Sequence, residues 1–279
     1  MNRLIEAVLM RAARPYFAGT RLNDALGLAR EAGARGYPVT LCYWNAPDDP
    51  ADKVIGNYDA VIDAIALSGL DAHMAIKVPP VAQKPELISG VLAKAREHGV
   101  PVDIDAHAPD EAEADYETAA RAGPEGLGIA IPGRWANSPA LADRAVELGL
   151  RVRVVKGQWD DPAAPDIDMA QGYLAVIDRL AGRCREVGVA THDTALAREA
   201  IRRLTAAGTR AELELLFGLP MDPSADIARQ AGLKTRIYLA YGDAWIPYSI
   251  RSAFRHPRTL VRFATDLATG HRDGLPQPA

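Results

Sequence analysis

Leu150-Arg-Val-Arg-Val-Val-Lys156 is followed by Ile167-Asp-Met-Ala-Gln-Gly-Tyr-Leu-Ala-Val-Ile-Asp-Arg-Leu-Ala-Gly-Arg-Cys-Arg185 and then by Val187-Gly-Val-Ala-Thr191. The outer two are short β-branched runs and read as strands, while the middle one is Ala-rich with apolar residues at helical spacing. Strand, helix and strand at this distance make parallel neighbours joined by a right-handed crossover. The alternation extends both ways, with strand runs at 37–44, 73–78, 100–106 and 127–131 before it and at 211–217 and 235–241 after it. Helical stretches occupy 48–70, 85–98 and 193–207, and Gly99, Gly188 and Gly232 stand where helix stops are expected. Eight such units fit a (βα)8 barrel, an α/β fold. A doubly wound sheet is the rival, but no Gly-x-Gly-x-x-Gly follows a first strand.

The 279 residues carry 32 Lys and Arg against 36 Asp and Glu, a formal charge of −4, with 48% hydrophobic and 24% charged residues. These are globular proportions that exclude disorder and coiled coil, and the slight acidity argues against nucleic-acid binding. No apolar run is long enough to span a membrane. Cys42 and Cys184 stand in no ligand spacing, which excludes a disulfide framework or zinc ribbon and points to a soluble, reducing compartment such as the cytoplasm. Leu4, Ile5, Val8 and Leu9, interrupted by Glu6 and Arg11, form an amphipathic helix pattern, not a signal peptide. One domain is expected: a helical segment over 1–36, a barrel over 37–270, and a mobile Pro/Gly-rich tail over 271–279.

In such barrels the chemistry sits at the carboxyl ends of the strands. Lys77 closes the second strand, Asp105 and His107 the third, Arg153 and Lys156 the fifth, Thr191, His192 and Asp193 the sixth, and Tyr238 and Tyr241 the eighth. The first residues of the strands are mostly apolar. This convergence suggests an enzyme. Bland readings stand beside it: a lone strand-end arginine is commonly an ion-pair member, Lys156 also suits a Schiff base, and Tyr238 and Tyr241 suit the core. Trp159 reads as a lid or a packing residue, and Glu214 as a paired buried carboxylate. Asp103, Asp105 and His107 alternate onto one strand face, and with His192 they offer a second reading as a metal-dependent hydrolase, although no His-x-His or His-x-x-Glu-His occurs.

The motifs themselves resemble a known family. Arg153-Val-Val-Lys-Gly-Gln-Trp-Asp160 is similar to the Arg-Leu-Val-Lys-Gly-Ala-Tyr-Trp of the proline dehydrogenases, Ala190-Thr-His-Asp193 to their Ala-Thr-His-Asn/Asp, and Glu212-Leu-Glu-Leu-Leu-Phe-Gly218 to their Glu-Phe-Gln-Leu-Leu-Tyr-Gly. Arg236-Ile-Tyr-Leu-Ala-Tyr-Gly-Asp-Ala-Trp-Ile-Pro-Tyr-Ser-Ile-Arg251 resembles the end of the eighth strand and the substrate helix. The resemblance runs in order from about Arg14 to Leu267. It implies a distorted (βα)8 barrel with a carboxyl-terminal substrate helix and a bound FAD that takes a hydride onto N5 from a cyclic imino acid. It also implies that Arg153 contacts the flavin ring, with Lys156, Gly157, Trp159 and the Thr191–His192 turn holding the rest of the cofactor. Lys77 and Arg251 would hold the substrate carboxylate, and Asp105, Leu216, Tyr238 and Tyr248 would line the pocket. The family's usual acceptor, a quinone, implies contact with the inner face of a membrane. The sequence is silent on oligomeric state.

The pocket departs from the family pattern. The substrate helix, usually Tyr-x-x-Arg-Arg-x-x-Glu, reads Tyr248-Ser-Ile-Arg251-Ser252-Ala-Phe-Arg255, so one carboxylate ligand becomes Ser252 and the acidic residue becomes Arg255. A charge-assisted hydrogen bond is worth roughly 1.5–3 kcal/mol. Arg255, one turn beyond Arg251, is placed either to replace that bond or to face solvent. Where the family ends the fourth strand in Gln, this chain has Pro132, which leaves flavin contacts there to other groups such as Arg134. His107 stands where the family tends to be acidic, and Pro79-Pro80 stiffens the turn after the second strand. These changes favour a proline derivative or a related secondary amine. The lost Gln and Arg leave a further alternative, a barrel that binds flavin or a ligand without turnover. Against it stand the retained Lys77, Asp105, Arg153, Lys156, Tyr238 and Arg251.

Overall fold

A computed structural model gives the fold and describes residues 17–46, 48–81, 85–242 and 274–278. Eight parallel strands close into a barrel in sequence order: β1 (Val39–Tyr43), β2 (Ala72–Ile76), β3 (Val102–Ile104), β4 (Leu127–Pro132), β5 (Arg151–Val155), β6 (Glu186–Ala190), β7 (Arg210–Leu216) and β8 (Thr235–Tyr241). The pairing of Val39 with Ile237 and Tyr43 with Tyr241 joins β8 to β1, which rules out the open doubly wound sheet. Each strand lies within two residues of its expected stretch.

The helices between strands are α2 (Ala51–Ser68), α3 (Pro85–Glu97), α4 (Ala112–Ala122), α5 (Ser138–Glu147), α6 (Met169–Leu180), α7 (Thr194–Ala206) and α8 (Asp222–Gln230). They follow from local chemistry. Asp193 caps α7 by accepting from Ala195 N and Leu196 N at 3.1 Å, and Asp168 caps α6 by accepting from Gln171 N at 2.8 Å. Gly99 and Gly232 take left-handed φ of 66° and 69° where helices stop. Before β1, α1 (Leu22–Ala34) buries Ala25, Leu26, Ala29 and Ala32 against the barrel. Ala18 N donates to Ala240 O at 3.1 Å, tying the segment before α1 to β8. The amphipathic pattern over 4–11 and the carboxyl-terminal substrate helix lie outside the described residues.

Three expectations need correction. Gly188 is not a helix stop but lies inside β6, opposite Arg153 and Glu212, and α6 ends earlier, before Gly182 at φ 73°. The tail expected to be mobile is pinned in its described part. Leu275 is buried, Arg35 donates to Leu275 O at 3.0 Å, and Gln277 N donates to Asp222 at 3.1 Å. The amino-terminal end of the barrel is charged, because Arg151 and Glu186 open their strands and His73 and Arg236 stand second in theirs.

Those charges fill the lumen. Alternate strand residues such as Leu41, Met74, Ile104, Val152, Val189 and Leu239 point out and form the main core with the helices. The other set points inward. Arg151 donates to Asp103 of β3 at 2.7 Å and to Glu212 of β7 at 2.5 Å, and Arg236 of β8 donates to Glu212 at 2.7 Å. Arg151 thus reaches past β4 and β6, and their inward glycines leave it room. A Cβ on Gly128 would stand 2.1 Å from Asp103 Oδ1, and one on Gly188 would stand 3.1 Å from Arg151 Nη2. Burial opposes the charge on Asp103, but Arg151 and the hydrogen-bonded His73 outweigh it and hold the carboxyl well below its ordinary range.

Breaking such a pair leaves buried charge unpaired, at a cost of about 3–5 kcal/mol. Arg151→Met is therefore expected to destabilise the fold by that order, read from the denaturant midpoint. Asp115 on α4 behaves oppositely. It is 3% exposed, its Oδ1 has no hydrogen-bond partner, and burial, then Glu111 and Asp105, push its carboxyl up to about 8. A carboxyl raised on folding binds more protons in the native state, so its contribution falls as pH rises from about 4 to about 8. Relative to wild type, Asp115→Asn is expected to gain stability across that window, by at most about 1.4 kcal/mol per pH unit, in denaturation curves taken at pH 5, 6, 7 and 8.

Candidate active site

The carboxyl ends of the strands gather a second, more open layer of groups. Asp105, directly after β3, accepts from Tyr238 Oη of β8 at 2.5 Å and from the Arg153 guanidinium of β5. Arg153 also donates to Glu214 of β7 at 3.2 Å and lies over the Tyr238 ring, 4.9 Å from its centroid. Burial works against the Arg153 charge, but Asp105 and Glu214 outweigh it and the guanidinium holds its proton more firmly than in water. Burial, reinforced by Asp105, drives the Tyr238 hydroxyl far up, so it stays protonated and donates. Burial also raises Glu214 against the pull of Arg153 and Arg151. Glu214 is thus the paired buried carboxylate that the sequence suggested.

Lys77, directly after β2, has its backbone clamped by the buried Tyr58 hydroxyl, which donates to Lys77 O at 3.2 Å and accepts from Lys77 N at 2.9 Å. Its ammonium lies 4.0 Å from Cys42 Sγ and 5.2 Å from the centroid of the Trp44 ring. Cys42, Ala75, Tyr238 and Ala240 form a small apolar cluster inside the barrel, against which Trp44 and Leu216 pack. Burial, only partly offset by Lys77, raises the Cys42 thiol to about 11 and keeps it a thiol. Cys42 and Trp44 are site residues that the sequence reading missed. The signal was there in Thr40-Leu-Cys42-Tyr-Trp44, whose alternation puts Thr40, Cys42 and Trp44 on one face of β1 and its continuation.

The remaining expected residues form the rim. Lys156 pairs with Asp193 at 3.6 Å, and Thr191 Oγ1 accepts from Asp193 N at 3.1 Å. Gly157 takes φ 90°, and a Cβ there would stand 2.7 Å from Pro132 Cβ, so the loop after β5 lies hard against β4. Arg134 turns toward that loop, pairing with Asp160 at 2.8 Å and donating to Gly157 O at 3.3 Å. Trp159, 39% exposed, lies 5.6 Å ring to ring from His107, and His107 in turn pairs with Glu111 at 3.3 Å. The His192 ring is committed to the backbone: Leu216 N donates to Nε2 at 3.0 Å, so Nδ1 carries the proton donated to Pro220 O at 2.9 Å. Tyr241 points outward beside Tyr43, 5.5 Å ring to ring. Tyr248, Arg251, Ser252 and Arg255 lie outside the described residues.

The residues of the metal reading are dispersed. Asp103 is held by Arg151 and His73, Asp105 by Arg153 and Tyr238, His107 by Glu111, and His192 by backbone. Among the described residues no three His, Cys, Asp or Glu side chains are grouped to hold a metal ion.

Known proteins supply the comparison. No family model matches the chain. It is 23% identical over 265 residues to proline dehydrogenase 1 of Bacillus subtilis subsp. natto, covering 88% of this chain and 87% of that protein. To proline dehydrogenase 2 of Bacillus subtilis strain 168 it is 20% identical over 272 residues, covering 90% and 88%. Over nearly its whole length the chain is similar to these proline dehydrogenases. Among solved structures its barrel is similar to proline utilization A of Bdellovibrio bacteriovorus, with a TM-score of 0.75 and 15% identity over 90% of this chain. Proline utilization A of Corynebacterium freiburgense gives a TM-score of 0.67 and 16% identity over 99% of this chain. The chain spans about a third of the length of those two proteins, 33% and 36% respectively. Those likenesses bear out the (βα)8 fold, and the curated relatives support an oxidoreductase of the proline dehydrogenase type.

Within this site, the Tyr238 hydroxyl is the neutral donor to a carboxylate shared with Arg153. Tyr238→Phe removes one charge-assisted bond and leaves Asp105 to Arg153. The expected loss is about 1.5–3 kcal/mol of unfolding free energy, measured by chemical denaturation at pH 7.

Proposed function

We propose that this chain oxidises the carbon–nitrogen bond of a small cyclic imino acid (proline, a proline derivative or a related secondary amine) to the imine, with FAD as the bound hydride acceptor at N5. The reading is carried by the juxtaposition, at one barrel mouth, of Lys77 with the buried Arg153–Asp105–Tyr238 group. No described carboxylate lies within 4.0 Å of the Lys77 ammonium, whereas Arg134, Arg153 and Lys156 each have one. An unneutralised ammonium suits a ligand that brings its own carboxylate, and such a bond orients the carbon that is oxidised. Arg251, with Ser252, Arg255 and Tyr248, would complete that end of the pocket. The apolar cluster around Cys42, Tyr238 and Leu216 suits the ring of the substrate.

The donor set also suits FAD. Arg153 keeps a buried Nε–H without a hydrogen-bond partner, and Lys156 stands half-exposed on the same strand end. Arg153, Lys156, Gly157, Trp159, Arg134 and the Thr191–His192 turn would hold the cofactor, His192 through its backbone because both ring nitrogens are already engaged. Bound there, FAD supplies the two-electron acceptor. Asp105 and Glu214 fix the Arg153 charge in place, so it meets developing negative charge without reorganisation. Tyr238, held protonated beside Asp105, excludes water from that side of the guanidinium. A quinone is the onward acceptor in this reading, which brings the protein to a membrane surface. No described helix is long and apolar enough to cross a membrane.

Purified protein is expected to show a flavin absorption band that bleaches anaerobically when L-proline or another cyclic secondary amino acid is added. Protein that stays colourless and takes up no added FAD would overturn the reading. Turnover of free L-proline at tens per second, an ordinary enzyme rate, would instead identify proline itself as the substrate and remove the case for a derivative.

A further inference from the structure

Trp44 and Lys77 end neighbouring strands, and neither backbone is free to move. Trp44 N donates to Tyr241 O at 2.7 Å, continuing the β1–β8 ladder past the end of β1. Lys77 is gripped at both its N–H and its carbonyl by the hydroxyl of Tyr58, a fully buried residue of α2. The two side chains therefore meet by construction. The ammonium sits over the indole, 5.2 Å from its centroid, and lies 4.0 Å from the Cys42 thiol, which burial keeps uncharged. A lysine side chain is long and flexible, and without a partner it samples many rotamers. A carboxylate partner would order it but would also neutralise it. An indole face orders the ammonium and leaves its charge uncancelled, with a strength equivalent to roughly twofold to thirtyfold in an equilibrium constant. The opposite arrangement is seen at Arg153, which lies over Tyr238 but is also paired with Asp105 and Glu214. Of these two stacked cations at the barrel mouth, Lys77 is the one with no described carboxylate within 4.0 Å.

We propose that Trp44 is the positioning residue for Lys77: its indole face holds the ammonium at the barrel mouth as the anchor for the carboxylate of a small amino-acid substrate. The inference rests on the substrate class proposed above. It places carboxylate recognition on an aromatic residue that touches the substrate only through the lysine it orders.

The experiment compares wild type, Trp44→Phe and Trp44→Leu with two probes, L-proline and pyrrolidine, which share a ring and differ in the carboxylate. For L-proline, Trp44→Leu is expected to raise KM about tenfold with kcat changed less than twofold. Its kcat/KM for pyrrolidine should change less than threefold, and Trp44→Phe should fall between wild type and Trp44→Leu for proline. An equal loss with both probes, or an unchanged KM for proline, overturns the proposal. A wild type that oxidises neither probe counts against the function reading. The Trp44–Lys77 contact is then judged by NMR, with the Lys77 ε-methylene signal assigned by its disappearance in Lys77→Met. A ring-current upfield shift present in wild type and Trp44→Phe and absent in Trp44→Leu supports the positioning role. No such shift in wild type overturns it.

Discussion

Arg151 and Arg153 stand one pleat apart on β5, and each reaches across the lumen to a carboxylate on the β3 side and another on β7: Asp103 and Glu212 for the first, Asp105 and Glu214 for the second. A barrel of this kind is usually filled by layers of branched apolar side chains. Here two of its layers are ion pairs, and most apolar strand side chains face the helices, leaving a small cluster around Cys42, Ala75 and Ala240 inside. Buried charges are tolerated only when paired and hydrogen-bonded. Strand register, the inward glycines of β4 and β6 and the order of charges along β3, β5, β7 and β8 are therefore one linked requirement. Among the described lumen residues the three arginines Arg151, Arg153 and Arg236 face the four carboxylates Asp103, Asp105, Glu212 and Glu214. At Glu214 burial outweighs the pull of Arg153 and Arg151 and strengthens its hold on a proton.

The same network grades smoothly into the candidate active site. The lower layer is closed on itself, since Arg151, Arg236, Asp103 and Glu212 satisfy one another. The upper layer is open on one side: Arg153 retains an unpartnered Nε–H, Tyr238 is fixed as a donor, and Lys77 lies above an aromatic face with no described carboxylate beside it. Charge that is structural at one end of the lumen becomes available for chemistry at the other. That change in pairing, more than any single residue, distinguishes the mouth from the floor.

Much of this was legible in the chain itself. β-branched runs at regular spacing located all eight strands, because a strand buried on both faces has few other ways to be written. The motif around Arg153 and Lys156 marked β5 as a strand that carries cations to the candidate site. Gly188 misled because a glycine after a helical stretch usually ends it, whereas here its missing side chain makes room for Arg151. His192 looked like a ligand in sequence, yet the fold spends both ring nitrogens on the backbone of the next loop. Cys42 and Trp44 were passed over because neither carries charge, and nothing local tells an aromatic residue at a strand end whether it will face a helix or a lysine.

By itself, then, the sequence determined the alternation of elements, the closed parallel barrel and the cations and carboxylates that had to lie at strand ends, since hydrophobic period and strand polarity are local properties. Only the tertiary structure decided which charges cancel. Asp103 is 48 residues from Arg151, Asp105 is 133 from Tyr238, and Arg236 is 24 from Glu212. Pairing over such separations depends on barrel closure and on side chains crossing a shared lumen, and no local pattern along the chain encodes that distance.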